Sequence, residues 1–277
     1  MLKLPSLFQF YLPFPDSYTL SSENTSHPPS TTGLRNIRCV LQYKGTAYSG
    51  WQRQPDRLTV QEIVENCISR MTKEPVKVKA SGRTDAGVHA LMQVINFSTS
   101  TRIPCAGFLR GLNSLLPKDI AVIYTDEVKP TFDAQFRAKS KTYIYLILNA
   151  RCRSPFLEEY SWHVITPLDI PSMQEAGNYL LGKHDFRSFM DAGSSVKNTV
   201  RQIYRLEVKE SHPFITIEIE ANGFLKHMAR NIVGVLVETG QGKRNPQDMQ
   251  QILMARDRKV AGINAPAQGL LLKEVKY

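Results

Sequence analysis

The chain is short of cysteine and has no hydrophobic run of membrane-spanning length. Its four cysteines, Cys39, Cys67, Cys105 and Cys152, lie far apart, with no C-x-x-C pair and no cysteine–histidine cluster at metal-ligand spacing. That scatter argues against a structural zinc and against a disulfide framework, and favours a reducing compartment in which the four side chains serve as small buried hydrophobes. The six histidines, His27, His89, His163, His184, His212 and His227, are equally dispersed, so no metal site is expected. No apolar stretch approaches the roughly 20 residues that a helix needs to cross a bilayer.

Charge is nearly missing from the beginning. Met1 to Phe14 carries a single lysine, Lys3, but Pro5 and Pro13 interrupt the stretch and no A-x-A-like site follows, which speaks against a secretory signal. Ser17 to Thr32 is rich in Ser, Thr and Pro and cannot bury enough to fold by itself. Residues 1–35 are therefore expected to be a flexible tail. An organelle-targeting peptide is the alternative, weakened by the absence of arginine before Arg35.

What is abundant is positive charge. Thirty-five Lys and Arg against 25 Asp and Glu leave +10 on 277 residues, with a pI near 9.4. A surplus of this size favours a polyanionic partner, nucleic acid first, although solubility alone accounts for part of it.

Ile37 to Tyr43 alternates as a half-buried strand, and Thr59 with Glu62 has the form of a capping box before an apolar stripe over Val60 to Met71. Val76 to Ala80 and Gln93 to Phe97 read as strands, followed by a helix over Ala106 to Leu116 and a strand over Ile120 to Tyr124. Further on, Lys141 to Asn149, Ile203 to Val208, Ile215 to Glu220 and Leu270 to Tyr277 read as strands. Pro171 to Leu181 and Leu225 to Val237 read as helices, with a last helix opened by Asn245-Pro246. Helices and strands without regular βαβ alternation give an α+β class with antiparallel sheets.

Between the strands ending at Ala80 and beginning at Gln93 runs Ser81-Gly82-Arg83-Thr84-Asp85-Ala86-Gly87-Val88-His89-Ala90, one acid beside one arginine in a loop of small residues. A lone carboxylate flanked by glycines suits a reacting group that something large must approach. An ordinary tight turn, with Asp85 bonded to its own backbone, fits the same composition. On the stretch Leu225 to Val237, Leu225, Met228, Ile232 and Val235 form one apolar stripe while His227, Arg230, Asn231 and Gly234 share another face. Spacing alone leaves Arg230 equally readable as a solvated cation, and Tyr143, on the strand Thr142 to Tyr145, as a core tyrosine.

The decapeptide resembles the signature of the TruA family of tRNA pseudouridine synthases, whose nucleophilic aspartate lies in an R-T-D-A-G-V-H-A segment. The likeness recurs in order along the chain. Tyr43 to Gln52 resembles the family's opening segment, Thr59 to Glu62 its first helix start, Phe132 to Tyr145 the segment of the active-site tyrosine, and Phe224 to Gly234 the helix carrying an arginine that pairs with the acid. The resemblance implies Asp85 as nucleophile, Arg230 as its partner, Tyr143 in the site, and Arg83 displacing the target nucleotide. After the tail, it further implies two similar α/β domains, 36–136 and 137–277, whose antiparallel sheets join across a central active-site cleft. The implied protein is a cytoplasmic homodimer acting on uridines 38, 39 and 40 of the tRNA anticodon arm, without cofactor or metal. A non-catalytic tRNA binder and a glycosidic-bond hydrolase are the alternatives; a hydrolase usually needs two cooperating carboxylates, and this loop offers one.

Trp51, Arg53, Gly45 and Gly50 are expected near the cleft or in its packing, and Lys139, Lys141, Arg151 and Arg153 as phosphate contacts or as a solvated basic face. Four positions depart from the family pattern. Lys44 stands where aspartate is usual, Lys226 replaces the first histidine of an H-H pair, and Asp133 and Gln135 replace the histidine and arginine of an F-H-A-R segment. These departures bear on RNA contacts rather than on the chemistry.

Overall fold

The computed structural model describes residues 33–193 and 196–277, so residues 1–32 of the expected tail lie outside the described residues. Where period-2 patterning is cleanest the strands are long. Strand β1 (Arg35–Tyr43) runs between β3 (His89–Thr99) and β4 (Ile120–Val128), antiparallel to both, with Cys39 opposite Ile95 on one side and Thr125 on the other. The segment read as a strand from residue 76 pairs only at β2 (Lys79–Ala80).

The later strands extend the same sheet. β5 (Ser140–Asn149), beside the short β6 (Trp162–Val164), pairs with β9 (Phe214–Ala221), which pairs with β8 (Val200–Ser211) and through it with β7 (Gly182–Asp185). β9 buries every second residue, as its Ile/Glu alternation requires. The strand β10 (Leu270–Lys276) lies between β3 and β5 and makes the sheet continuous in the order β4-β1-β3-β10-β5-β9-β8-β7. Its contact with β3 is a parallel pair limited to Leu271 opposite His89 and Leu272 opposite Ala90, whereas it runs antiparallel to β5. The two residues of β3 that follow Val88 are thus tied directly to the chain's last strand.

Helices α1 (Val60–Thr72), α2 (Cys105–Leu115), α3 (Ile170–Asn178), α4 (Met228–Gly240) and α5 (Asp248–Ala255) supply the rest of the architecture. In α4 the anticipated stripe of Leu225, Met228, Ile232 and Val235 is almost wholly buried. The helix begins three residues later than the periodicity indicated, because His227 takes a left-handed conformation at φ 61° and ends the preceding turn.

Three local expectations are corrected. Thr59 does not cap α1: its Oγ1 is buried without a hydrogen-bond partner among the described residues, and Glu62 faces Arg53 at 3.2 Å instead of turning back. Asn245 does not cap α5, since its backbone N–H donates to Asp248 Oδ2 and the helix opens only at Asp248. Cys152 is exposed rather than buried; all four cysteines are free, and Cys39 is the fully buried one. Among the described residues no helix is long and apolar enough to cross a membrane.

Candidate active site

The Asp85 loop is held from below by buried polar groups. Ser81 Oγ donates to Gln93 Oε1 at 2.6 Å, and Gln93 Nε2 donates to the Gly82 carbonyl at 2.8 Å, with Ser81 and Gln93 both sealed from solvent. Thr84 shares a 2.8 Å hydrogen bond with the hydroxyl of Tyr43. These bonds fix the backbone on both sides of Arg83 in an interior where an unpaired polar group would be costly.

The segment 45–51 grips the loop from its other side. The Trp51 N–H donates to the Thr84 carbonyl at 3.0 Å, and a Cβ at Gly50 would fall 2.8 Å from that same oxygen. A Cβ at Gly45 would fall 2.0 Å from the Val88 carbonyl, so no larger residue fits there. Trp51 is 2% exposed and packs beside Tyr43 at 6.0 Å between ring centroids, which makes it a wall of the site and part of the core at once. Gly87, at φ 78°, supplies the turn that brings Val88 N–H back to the Asp85 carbonyl.

So held, the Asp85 carboxylate remains partly exposed, at 28%, and meets two nitrogen-bearing side chains from the far side of the fold. Arg230 Nη1 lies 3.5 Å from Oδ2, and His227 Nε2 lies 3.5 Å from Oδ1. Arg230 is fixed by its own Nε, which donates to the Ala265 carbonyl at 2.7 Å, and by the bond from Ala265 N–H to the Arg230 carbonyl at 3.2 Å. One guanidinium nitrogen is therefore anchored to backbone while another is presented to the acid. Tyr143 stands over the same cleft, edge-on to Phe224 at 4.8 Å between ring centroids. Burial, then the nearby Tyr43 and Asp85, push its phenol well above the usual tyrosine range, so it stays protonated at neutral pH.

The cleft encloses about 870 Å³ and is lined by Asp85, Arg83, Tyr143, His227 and Arg230 together with Trp51 and Leu270. All four residues singled out from the sequence thus face one space; Arg83 is exposed there and forms no ion pair among the described residues. Arg53 is drawn away, toward Glu62 at 3.2 Å and Glu65 at 3.6 Å. The departing positions have local partners. Lys44 pairs with Glu159 at 3.0 Å, Asp133 pairs with Lys79 at 2.8 Å and accepts the Gln135 N–H, and Lys226 donates to the Ala192 carbonyl at 2.8 Å.

Sequence reading passed over the support behind His227. Its Nδ1 lies 2.6 Å from Asp191 Oδ2, and Asp191 also accepts from Asn231 Nδ2 at 3.0 Å and from Arg258 Nε. Arg258 continues to Asn231 Oδ1 at 2.8 Å. With Asp191 accepting at Nδ1, the imidazole turns Nε2 toward Asp85. Helical spacing groups 227 with 231, but nothing in the sequence links either to 191 or 258; only the fold does.

Burial alone would raise the Asp191 pKa, but hydrogen bonds from His227, Arg258 and Asn231 hold it well below the usual carboxylate range. A group with a depressed folded-state pKa contributes stability above its unfolded value, about 3.9, and loses it as pH falls toward the folded one. Asp191→Asn is therefore expected to lower Tm at pH 7, with a deficit that shrinks as pH falls below about 4. Thermal melts across that range check it; a deficit independent of pH would contradict the charge's role.

A family model described as tRNA pseudouridine synthase matches residues 40–137 and 176–277. The chain is 46% identical over 244 residues to the tRNA pseudouridine synthase A of Thermoanaerobacter sp. (strain X514), covering 88% of this chain and 100% of that protein. It is 43% identical over 244 residues to the enzyme of that name from Geobacter sulfurreducens, again at 88% and 100% coverage. To that from Moorella thermoacetica it is 47% identical over 243 residues, covering 87% of this chain and 99% of that one. Such identity, carried over nearly the whole length of each relative, means that the chain belongs to the tRNA pseudouridine synthase family.

Proposed function

We propose that this protein isomerises uridine to pseudouridine in tRNA, with Asp85 as nucleophile, Arg230 as its counter-ion and Tyr143 as the wall against which the extruded base rests. The observation that carries this reading is the Asp85 carboxylate, 3.5 Å from the Arg230 guanidinium in a cleft large enough for a nucleotide. The reaction breaks the bond from uracil N1 to ribose C1′, turns the detached base and rejoins it through C5. The C5 proton leaves and N1 gains one, so no electrons are transferred and no cofactor is called for. An ionised carboxylate beside C1′ or the base, a pocket that retains free uracil, and a residue such as Arg83 that replaces the extruded nucleotide in its stack meet these needs.

The substrate sites are uridines 38, 39 and 40 of the anticodon arm, by the family resemblance, and the protein works in the cytoplasm as a homodimer. Residues 36–136 and 137–277 are the two domains flanking the cleft, with Arg35, expected in the tail, already paired in β1. Incubation with unmodified tRNA, followed by mapping of pseudouridine along the product, tests the assignment. Pseudouridine confined to 38–40 is expected; its absence there, or formation elsewhere, would refute it.

Because the Tyr143 phenol stays protonated, its part is stacking and hydrogen-bond donation rather than service as a phenolate base. Tyr143→Phe keeps the ring against Phe224 and removes only the hydroxyl. Its kcat is expected to fall by roughly 10²-fold, the low end for loss of one positioned hydrogen-bond donor in an active site, with KM and Tm nearly unchanged. Steady-state kinetics check this, and wild-type kcat would remove the hydroxyl from the mechanism.

A further inference from the structure

Lys141 is a cation in surroundings that disfavour one. It lies on β5 two residues before Tyr143, so both side chains leave the strand on one face, and both line the cleft. Its side chain is largely buried. Among the described residues its ammonium has neither a hydrogen bond nor a carboxylate partner, and the charge acting on it is another cation, Arg201.

The acids closest in register are occupied. Glu220, opposite Thr142, accepts from Ser140 Oγ at 2.6 Å and from Lys276 Nζ at 2.9 Å, and Glu218, opposite Ile144, pairs with Lys273 at 2.6 Å. Arg201 donates through Nη1 to the carbonyls of Asn198 and Val200, at 2.9 and 2.7 Å, and forms no ion pair among the described residues.

A glycine lies against each of these cations. A Cβ at Gly82, in the Asp85 loop, would sit 3.1 Å from Lys141 Nζ, and one at Gly223 would sit 3.5 Å from Arg201 Nε. The other basic residues noted along this part of the sequence differ. Lys139, Arg151 and Arg153 are exposed, and Arg153 faces Glu158 at 3.6 Å. Two desolvated cations facing one space are unfavourable while that space holds only water, and become favourable when an anion enters between them.

We infer that Lys141 and Arg201 form a phosphate subsite, which takes a phosphodiester of the RNA strand next to the nucleotide delivered to Asp85. The inference rests on the proposed function for the identity of the anion. The subsite fixes the strand by its backbone and carries no base information, so it serves affinity and register rather than sequence choice.

The test uses full-length protein carrying Asp85→Asn, so that binding is read without turnover, and an unmodified anticodon-arm hairpin RNA as probe. Affinity is measured across a range of KCl concentrations with and without Lys141→Met and Arg201→Gln. Each substitution is expected to weaken binding about tenfold and to reduce the slope of log K against log salt by about 0.7 to 0.9, the value for one lost phosphate contact. With Asp85 restored, the loss should fall mainly on KM.

A purely structural role for Lys141 predicts a lower Tm when the lysine is removed; the subsite predicts the reverse. Burial depresses the Lys141 pKa from 10.5 to about 8, so the unfolded chain holds this proton more tightly and the native charge is a burden at neutral pH. Lys141→Met should therefore melt higher than its parent at pH 7, an advantage that shrinks as pH rises from about 8 toward 10.5. Lys141→Gln, which keeps a polar end, serves if the methionine variant folds poorly. An unchanged salt slope, a lower Tm for both variants at pH 7, or no hairpin binding by the parent would overturn the subsite. A reduced slope in a protein whose wild type makes no pseudouridine would uphold it and refute the proposed activity.

Discussion

Asp85→Asn is expected to lose at least about 10⁴-fold in kcat, the scale on which removal of a nucleophile is felt when the rest of the site is intact. The substitution keeps the side chain's shape and exchanges one carboxyl oxygen for an amide nitrogen. Arg230 stays anchored through Nε to the Ala265 carbonyl, and the loop stays pinned through Thr84, Ser81 and Gln93, none of which touches the altered atoms. The fold is therefore expected to survive with a Tm near that of the parent. RNA binding should hold or tighten slightly, because one negative charge leaves a basic cleft. Single-turnover assays, melts and hairpin binding on one preparation separate these effects. Residual activity above about one per cent would mean that Asp85 positions substrate rather than reacting with it.

The second large effect concerns a residue outside the cleft lining. Gly234 lies one turn beyond Arg230 on α4, where a Cβ would fall 1.9 Å from the Ile263 carbonyl oxygen. That neighbour is backbone, in the segment whose Ala265 holds Arg230 by two hydrogen bonds. Gly234→Ala must therefore push the helix and this segment apart by more than an ångström. Overpacking usually costs about 1–3 kcal/mol where side chains can shift. Against backbone, about 3 kcal/mol or more is expected, or a fall in Tm of roughly 6–12 °C at this chain length. The displacement passes straight to Arg230, so kcat should fall as well, although the altered position is remote from substrate. A variant with parental Tm and kcat would show that the close approach of α4 to residues 261–265 is not required.

How much of this could be read from the chain depended on whether the signal was local. β9 was visible because one face is dry and the other wet, and the buried side of α4 because four apolar residues recur at helical spacing. The Asp85 loop stood out through composition, and the encounter of Asp85, Tyr143 and Arg230 was anticipated only through resemblance, since 145 positions of chain separate the first from the last. What escaped is tertiary. The capping box at Thr59 failed because Arg53 competes for Glu62. The start of α4 was misplaced because a histidine adopts a left-handed conformation whose partners, Asp191 and Asn264, lie in distant loops. Lys141 is one of four candidate phosphate contacts in the sequence, and only its burial and its lack of a carboxylate partner among the described residues set it apart from the exposed Lys139, Arg151 and Arg153.

The measurement that bears most directly on the central claim is the release of tritium from unmodified tRNA labelled at uridine C5, followed alongside nucleosides recovered by complete digestion. Isomerisation by Asp85 predicts one tritium lost to water for each pseudouridine formed, with no free uracil and no release by Asp85→Asn. Free uracil among the products, or tight tRNA binding with no tritium released, would contradict it.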